Sequence, residues 1–561
     1  MEHKAAKKAK KGILSIVFSR TALIVMLILL QIGALVLMYT ILNDYLTYVY
    51  WITMAVQVFV IIYITNEQGT PEYSRTWILL ILILPVFGCL FYVYVKLEIG
   101  TKYVGERLVK TKLDTSPYLT QKAEVVEDLR VSKPANAALA YYMNHQLQFP
   151  TYRNTKVTYF SIGQEKFAEM IHQLKRAEKY IFLEYFIVSE GYMWDTILDI
   201  LKEKAKAGVE VRFMYDGMCS ISNLPYNYPE QIRKFGIKCK MFRPIRPILS
   251  TTQNNRDHRK ICVVDGKVGF TGGINLADEY INRKERFGYW KDTAVMLEGE
   301  AVQSLTMLFL QMWNVTEYKS ENYENYQTPK SDTLHRELGF VIPYGDSPYD
   351  HEDVGKEVYF HILNHAKKYV HIMTPYLILD SEMVDTLTRA AKSGIDVKII
   401  MPHIPDKWYA FAVAKTFYKD LLRAGVQIFE FTPGFVHAKS FVSDDDTAVV
   451  GTINLDYRSL YLHFECGVFM YNNPAVRDVE RDFQNTLKKC HRISMSDIKK
   501  TGIVMKICGR VLRLIAPLNV SAVKKAAEIG EKIGKSVKKI WKWLYIAGKN
   551  IYNAKCGFKD Y

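Results

Sequence analysis

Two stretches of the chain share one pattern: HRKICVVDGKVGFTGGIN at residues 258–275 and HAKSFVSDDDTAVVGTIN at residues 437–454. Each holds a histidine, a lysine, an aspartate, a glycine and an asparagine at identical spacings: His258, Lys260, Asp265, Gly272 and Asn275, then His437, Lys439, Asp444, Gly451 and Asn454. Asp265-Gly266 is a tight-turn signal between two apolar runs, so the first stretch predicts two strands joined by a turn. Five fixed letters recurring in this way indicate an internal duplication.

The sequence around each stretch repeats as well. KYIFLEYFIV, WDTILDILKEKAKAG and VEVRFMYDG precede the first, and KYVHIMTPYLI, MVDTLTRAAKSG and IDVKIIMPH precede the second. Each series is typical of strand, helix and strand, which predicts mixed or parallel sheets covered by helices. We therefore predict an α/β fold with two pseudo-repeated domains at residues 155–315 and 341–495, joined by a polar linker at 316–340.

The repeated residue types suit a phosphate group. Alternate residues of a strand share a face, so each lysine lies on the side of its histidine. Lysine neutralises phosphate, the amides of Asn275 and Asn454 donate hydrogen bonds to it, and histidine reacts with it or protonates its leaving oxygen. A metal site is disfavoured because an ammonium group repels a cation. Duplication followed by loss of one copy is also disfavoured, since both copies are intact.

Charge and cysteine usage narrow the class of protein. The chain has 561 residues, with 74 Lys+Arg against 58 Asp+Glu and a net charge of +16, which favours an anionic partner. The eight cysteines form no CxxC pair, and Cys89 and Cys262 are interpreted as small core residues.

Three apolar runs predict transmembrane helices within residues 21–99, at about 21–43, 45–65 and 77–95, after a basic segment at 1–20. Lysines and arginines flank the set on both sides, which places both ends in the cytoplasm and requires an even number of crossings. Three crossings conflict with that rule, so the membrane face of the catalytic part stays open. A polar connector is expected at 100–154.

The pattern HxKxxxxDxxxxxxGxxN in two copies resembles the phospholipase D superfamily, over roughly residues 155–490. The finer resemblance is to bacterial cardiolipin synthases, carried by NRDHRKICVVDG, GGINLADEY, YWKDTAV, NLDYRSL and the PVFG phrase. It implies two phospholipase D-like α-β-α sandwich domains, a multi-pass location in the bacterial cell membrane, and phosphatidylglycerol and other anionic lipids as partners. Nucleic acid, metal and cofactor are not expected.

The resemblance also implies a mechanism and roles. Two phosphatidylglycerols become cardiolipin and glycerol through a phosphohistidine, with His258 as nucleophile and His437 as acid and base, although the reverse assignment stays open. Lys260, Lys439, Asn275 and Asn454 would hold the phosphate oxygens. Asp265 and Asp444 belong to the catalytic motif, yet their position favours a structural role in a turn.

Each catalytic imidazole needs a group that orients its other nitrogen. Glu465 follows the second motif where relatives carry an acid, and Asp292 is its equivalent after the first motif. Two departures from the family pattern affect the substrate channel: His463 stands where relatives often have asparagine, and IPYGDSPYD replaces Ser-Gly-Pro.

The last segment, 496–561, is predicted to be a basic amphipathic tail. In SAVKKAAEIGEKIGKSVKKIWKWLYIAG apolar residues recur every three or four positions among lysines, which is typical of a helix on anionic lipid. A helix packed on the core is the alternative.

Two other functions remain open on sequence alone. One is a membrane-anchored phospholipase D-type hydrolase or nuclease that uses the same residues. The other is a non-enzymatic scaffold for acidic lipids, which would tolerate loss of both histidines.

Overall fold

A computed structural model describes most of the chain: residues 46–67, 69–97, 101–219, 223–243, 254–317, 321–329, 339–350 and 352–517, with a few positions between 26 and 36. The predictions for the basic segment 1–20, for most of the apolar run 21–43 and for the tail from 518 onward lie outside the described residues.

Two mixed sheets repeat one strand order. The first runs β1-β8-β6-β5-β2-β3-β4, and the second runs β9-β16-β15-β14-β10-β11-β12 with β17 added at its edge. The first seven strands in chain order are β1 Thr155–Phe160, β2 Tyr180–Tyr185, β3 Glu210–Asp216, β4 Lys238–Phe242, β5 Lys260–Val264, β6 Val268–Gly272 and β7 Tyr289–Lys291. Strand β7 belongs to neither large sheet and pairs with β13. The next five are β8 Ala294–Gly299, β9 Phe340–Asp346, β10 Tyr369–Met373, β11 Asp396–Pro402 and β12 Gln427–Phe431. The last five are β13 Gly434–Val436, β14 Ser440–Ser443, β15 Thr447–Gly451, β16 Glu465–Tyr471 and β17 Cys490–Arg492.

The two sheets share one pattern of strand pairing. In both sheets the three strands that follow alternating helices are parallel, β2-β3-β4 and β10-β11-β12. The His-Lys stretches form the antiparallel hairpins β5-β6 and β14-β15 beside them. His258 lies two residues before β5 and His437 three residues before β14, so both lie at the same end of equivalent strands.

Helices cover the sheets. Those before and within the first repeat are α1 Leu46–Asn66, α2 Pro71–Ile83, α3 Pro85–Lys96, α4 Thr101–Thr115, α5 Ala123–Ser132, α6 Pro134–His145, α7 Gly163–Lys175, α8 Tyr192–Lys206, α9 Tyr228–Arg233 and α10 Val302–Asn314. Those of the second repeat and beyond are α11 Val354–His365, α12 Ser381–Lys392, α13 Trp408–Ala424, α14 Tyr457–Tyr461, α15 Pro474–Leu487, α16 Met495–Lys500 and α17 Ile503–Ile515. Every residue of α10 is buried, because this helix packs on strands of both sheets.

The membrane region differs from its prediction. Within the described residues one helix, spanning Thr47–Asn66, is long and apolar enough to cross a bilayer, so several spans are not confirmed. The expectation of a single helix at 77–95 is wrong, because the chain turns at Leu84 and Pro85 into the two short helices α2 and α3. Proline at the first position of a helix cannot continue the preceding one. The two pack together, with the backbone of Ile81 against Gly88.

Candidate active site

The two repeats meet along a seam of reciprocal backbone contacts. The amide of His258 donates to the carbonyl of Phe464 over 2.9 Å, and the amide of His437 donates to the carbonyl of Lys291 over 2.7 Å. Strand β7 pairs in parallel with β13 just before His437, and Asp257 forms a β-bridge with Phe464 just before His258. The backbone at each motif histidine is therefore held by the backbone of the opposite repeat.

The histidine of each motif is oriented by an acid from the other repeat. Nδ1 of His258 lies 2.9 Å from both carboxylate oxygens of Glu465, and Nδ1 of His437 lies 2.6 Å from Oδ2 of Asp292. Both acids are fully buried. An Nδ1–H that donates to a carboxylate leaves Nε2 as the free lone pair, which is the tautomer that a nucleophile or base needs. The order of the motifs along the chain predicted that each acid orients the histidine of its own repeat. That pairing is wrong, because Glu465 contacts His258 and Asp292 contacts His437.

The difference between Gly273 of the first stretch and Thr452 of the second follows from these acids. A Cβ on Gly273 would lie 2.0 Å from Oδ1 of Asp292, so only glycine lets this carboxylate reach His437. Its counterpart Thr452 instead donates its hydroxyl hydrogen bond to Glu465. The two halves reach the same arrangement by different local means.

Substituting Gly273→Ala is expected to displace Asp292 and to lower turnover by about 100-fold, because a misaligned general acid or base loses that much. The measurement is turnover with a phospholipid substrate, beside a thermal melt of the variant. The reciprocal change Thr452→Gly removes one donor to Glu465 and should cost roughly tenfold or less. Equal effects of the two substitutions would contradict the steric explanation.

Two buried lysines complete a cationic site. Lys260 and Lys439 each donate to the carbonyl of the histidine two residues earlier, and Nζ of Lys439 lies 2.9 Å from Nδ1 of His437. Burial lowers the pKa of Lys260 to about 8 and that of Lys439 to about 7. Burial and the neighbouring lysines hold the pKa of His258 well below its ordinary value and lower that of His437 to about 4. A bound phosphodiester would raise all four pKa values, so the site gains its protons together with an anion.

The two asparagines lie at the ends of their hairpins with part of their hydrogen bonding already used. Asn275 accepts from the amide of Ile187 and donates to the hydroxyl of Tyr280, while Asn454 donates to the hydroxyl of Ser459. Oδ1 of Asn454 is buried without a partner among the described residues. Their predicted contact with phosphate oxygens stays a prediction.

Asp265 and Asp444 do not join the site, which corrects their place in the catalytic set. Asp265 accepts from the backbone amides of residues 178–180, and Asp444 accepts from those of residues 367–369. Both have positive φ, 54° and 55°. They stand seven residues from their histidines along a strand, a distance of roughly 20 Å. They tie each hairpin turn to the start of the neighbouring strand.

Three aromatic rings of the site were not singled out as catalytic from sequence. The ring of Phe186 lies edge-on to His258 with centroids 4.8 Å apart, and Tyr280 lies similarly against His437 at 5.6 Å. His463 lies 5.5 Å from His258. Phe186 follows β2 directly, and the carboxyl end of a parallel strand is the one signal that could have identified it.

Burial of His463 predicts acid sensitivity of the fold. Burial, together with Arg458 and His258, lowers the pKa of His463 to about 3 against the opposing effect of Glu465. In the unfolded chain this histidine has a pKa of about 6.5, so the unfolded state binds the proton first. The free energy of unfolding therefore has its full value above pH ~6.5 and decreases as the pH falls. At pH 5 the loss is about 2 kcal/mol. Thermal melts should show a smaller drop between pH 7 and pH 5 for His463→Asn; an identical drop would contradict this origin.

One group of described residues has the donor types of a metal site. His258, His463 and Glu465 bring ligand atoms within 4.8 Å of one another. Glu465 already accepts from His258 and from Thr452.

The duplicated α/β fold and the paired His-Lys hairpins define a two-domain phosphodiester-transfer enzyme of the phospholipase D type. The family model "Cardiolipin synthase, PLD-like domain" matches residues 170–313 and 359–487. A cardiolipin synthase of Alkalihalophilus pseudofirmus is 34% identical over 467 residues, which cover 82% of this chain and 92% of that protein. The chain belongs to the cardiolipin synthase family.

Two further proteins resemble the chain. An uncharacterized protein of Streptococcus mutans serotype c is 53% identical over 458 residues, covering 82% of this chain and 99% of that protein. The crystal structure of a phosphatidylserine synthase from Haemophilus influenzae Rd KW20 has a TM-score of 0.49 at 14% identity, covering 67% of this chain and 95% of that one.

Proposed function

We propose that the protein is a cardiolipin synthase that joins two phosphatidylglycerol molecules and releases glycerol. The observation that carries the proposal is the exchange of acids, which fixes one imidazole from each repeat on a single seam beside two buried lysines. Family membership supplies the lipid substrate class.

The reaction proceeds in two balanced steps. In the first, Nε2 of one histidine forms a bond to phosphorus, the bond to the glycerol oxygen breaks, and the second histidine gives its proton to that oxygen. In the second, the second histidine takes the proton of an acceptor hydroxyl, the acceptor oxygen bonds to phosphorus, and the N–P bond breaks. By resemblance His258 is the nucleophile and His437 the acid and base; the near-twofold site is compatible with either order.

The lysines stabilise charge on the phosphoryl oxygens during both steps. Lys260 and Lys439 are almost fully buried, so their attraction for the developing negative charge is little screened by water. Asn275 and Asn454 stand at the same ends of their hairpins and are proposed to donate further hydrogen bonds.

The protein is membrane-associated, and α1 is proposed to anchor it. Large apolar side chains of this helix, among them Trp51, Ile52 and Phe59, point outward and are more than half exposed. Helices α2 and α3 have 13 and 12 residues, which give them lengths of about 20 and 18 Å, short of a ~30 Å hydrocarbon core. The ion pair of Lys96 with Glu67 holds the end of α3 beside the loop that joins α1 to α2.

The hairpin therefore enters and leaves the bilayer on the catalytic side. Its first turn contacts the second repeat, where the amide of Ser381 donates to Glu72 over 3.2 Å. A hairpin that does not cross the bilayer removes the third predicted crossing, and the even number of predicted crossings that remains agrees with basic residues at both ends. Helix α17 adds an outward apolar stripe of Ile503, Val504 and Ile507 beside it, as expected for the start of a membrane-binding tail.

Incubation of the purified protein with phosphatidylglycerol tests the proposal. Cardiolipin and glycerol in equal amounts are expected. Phosphatidic acid and glycerol would indicate the alternative hydrolase, and no turnover would overturn an enzymatic role.

A further inference from the structure

An acidic cavity of about 430 Å³ reaches the active site at His463. It lies between the loop that joins α1 to α2 and the amino-terminal ends of α11 and α12. Six carboxylates line it against one ammonium, that of Lys356: Glu72, Asp346, Glu352, Asp353, Asp380 and Glu382. The cavity thus has the opposite charge to the catalytic site beside it.

Several of these carboxylates already have structural partners. Asp380 caps α12 and pairs with Lys356 at 3.2 Å, and Glu382 binds the same ammonium. Asp346 accepts from the amide of Gly355 over 2.8 Å. Asp353, in contrast, precedes α11 without making a capping hydrogen bond, and burial raises its pKa to about 6.

His463 provides a second and independent sign of a ligand. Its side chain is 6% exposed and lines the cavity, yet neither ring nitrogen has a hydrogen-bond partner within the described part of the chain. The nearest oxygen of Glu465 lies 3.6 Å from Nδ1, beyond hydrogen-bond distance. Leaving a buried polar group unpaired is unfavourable, so a ligand group is expected there.

We propose that this cavity binds the free hydroxyls of the glycerol headgroup of phosphatidylglycerol, with Asp353 and His463 as hydroxyl-binding residues. The inference rests on the proposed function and names its headgroup subsite. His463 lies 5.5 Å from His258, and the leaving oxygen stands opposite the attacking nitrogen. The subsite therefore fits the order in which His437 is the nucleophile and His258 protonates the departing glycerol. A neutral imidazole offers one donor and one acceptor, and a carboxylate offers acceptors, which together match a polyol.

Charge separates the two parts of the substrate. The phosphodiester is attracted to Lys260 and Lys439 and repelled by the carboxylates, so the headgroup alone enters the cavity. Gly69 and Thr70 of the α1-α2 loop and Pro71 at the start of α2 form part of the wall. A headgroup at the bilayer surface thereby reaches the site along the membrane-facing side.

Alcoholysis of cardiolipin by free alcohols tests the subsite. Full-length protein in mixed micelles is given cardiolipin and equal concentrations of glycerol, 1-propanol or ethanolamine, and each phosphatidyl-alcohol is quantified. The wild-type protein is expected to favour glycerol over 1-propanol at least tenfold, because a site built for hydroxyls rejects an analogue that lacks them.

Asp353→Asn and His463→Leu should each reduce that preference by about fivefold to tenfold, as expected for one lost hydrogen bond. Glu357→Gln is the matched control, an exposed carboxylate on α11 that does not line the cavity, and should keep the wild-type ratio. Asp353 is only partly buried, so its variant keeps the test valid if His463→Leu does not fold.

Unchanged ratios in both variants, or a wild-type preference for ethanolamine that would mark a cation site, would overturn the inference. Failure of the proposed function has a different signature. In that case the wild-type protein makes no cardiolipin from phosphatidylglycerol, whatever its choice among free alcohols.

Discussion

Replacing His258 or His437 by alanine is expected to lower cardiolipin synthesis by at least about 10⁴-fold, each as completely as the double replacement. The two imidazoles act as one unit: without the nucleophile no phosphohistidine forms, and without the acid and base the glycerol leaves as an unprotonated alkoxide. Their effects are therefore not additive.

The measurement is the initial rate of cardiolipin formation by each single variant and the double variant. His172→Ala is the control, since His172 is an exposed residue of α7 paired with Glu169, and it should keep wild-type activity. A double variant much less active than either single variant would mean that the histidines act in separate sites. Full activity of either single variant would favour a non-enzymatic scaffold.

Asp292→Asn and Glu465→Gln are expected to produce the second largest effects, about 10²- to 10⁴-fold in turnover. An amide can donate to Nδ1, which stabilises the tautomer with its proton on Nε2 and removes the lone pair needed there. Because the acids are exchanged, Asp292→Asn should change the ionisation of His437 and leave that of His258 nearly unaltered.

Histidine side-chain NMR signals followed with pH distinguish this pairing. Loss of the carboxylate opposite His437 should lower its pKa further in Asp292→Asn, because Asp292 opposes the effects of burial and of Lys439. A shift of the His258 signal in that variant, with His437 unchanged, would contradict the exchanged arrangement.

The hairpins and their chemistry could be predicted because both are local. Lys260 and Lys439 follow their histidines by two residues, and a strand places such pairs on one face whatever surrounds them. The equal strand order of the two sheets follows from the repetition of the same helix and strand pattern.

The exchange of Asp292 and Glu465 could not be predicted, because spacing along the chain does not record which repeat a side chain meets across a seam. The same limit applies to His463, because spacing along the chain does not show that its ring nitrogens face a cavity without a hydrogen-bond partner. The break at Leu84-Pro85 was missed for another reason: an apolar run satisfies a length criterion even where proline divides it.

A crystal structure of the protein with orthovanadate, a mimic of the pentacoordinate phosphoryl transition state, tests the central idea most directly. We expect vanadium bonded to Nε2 of one histidine, an opposite apical oxygen hydrogen-bonded to Nε2 of the other, and Lys260 and Lys439 on the equatorial oxygens. Vanadate bound by one motif, with the second histidine out of reach of its oxygens, would contradict it.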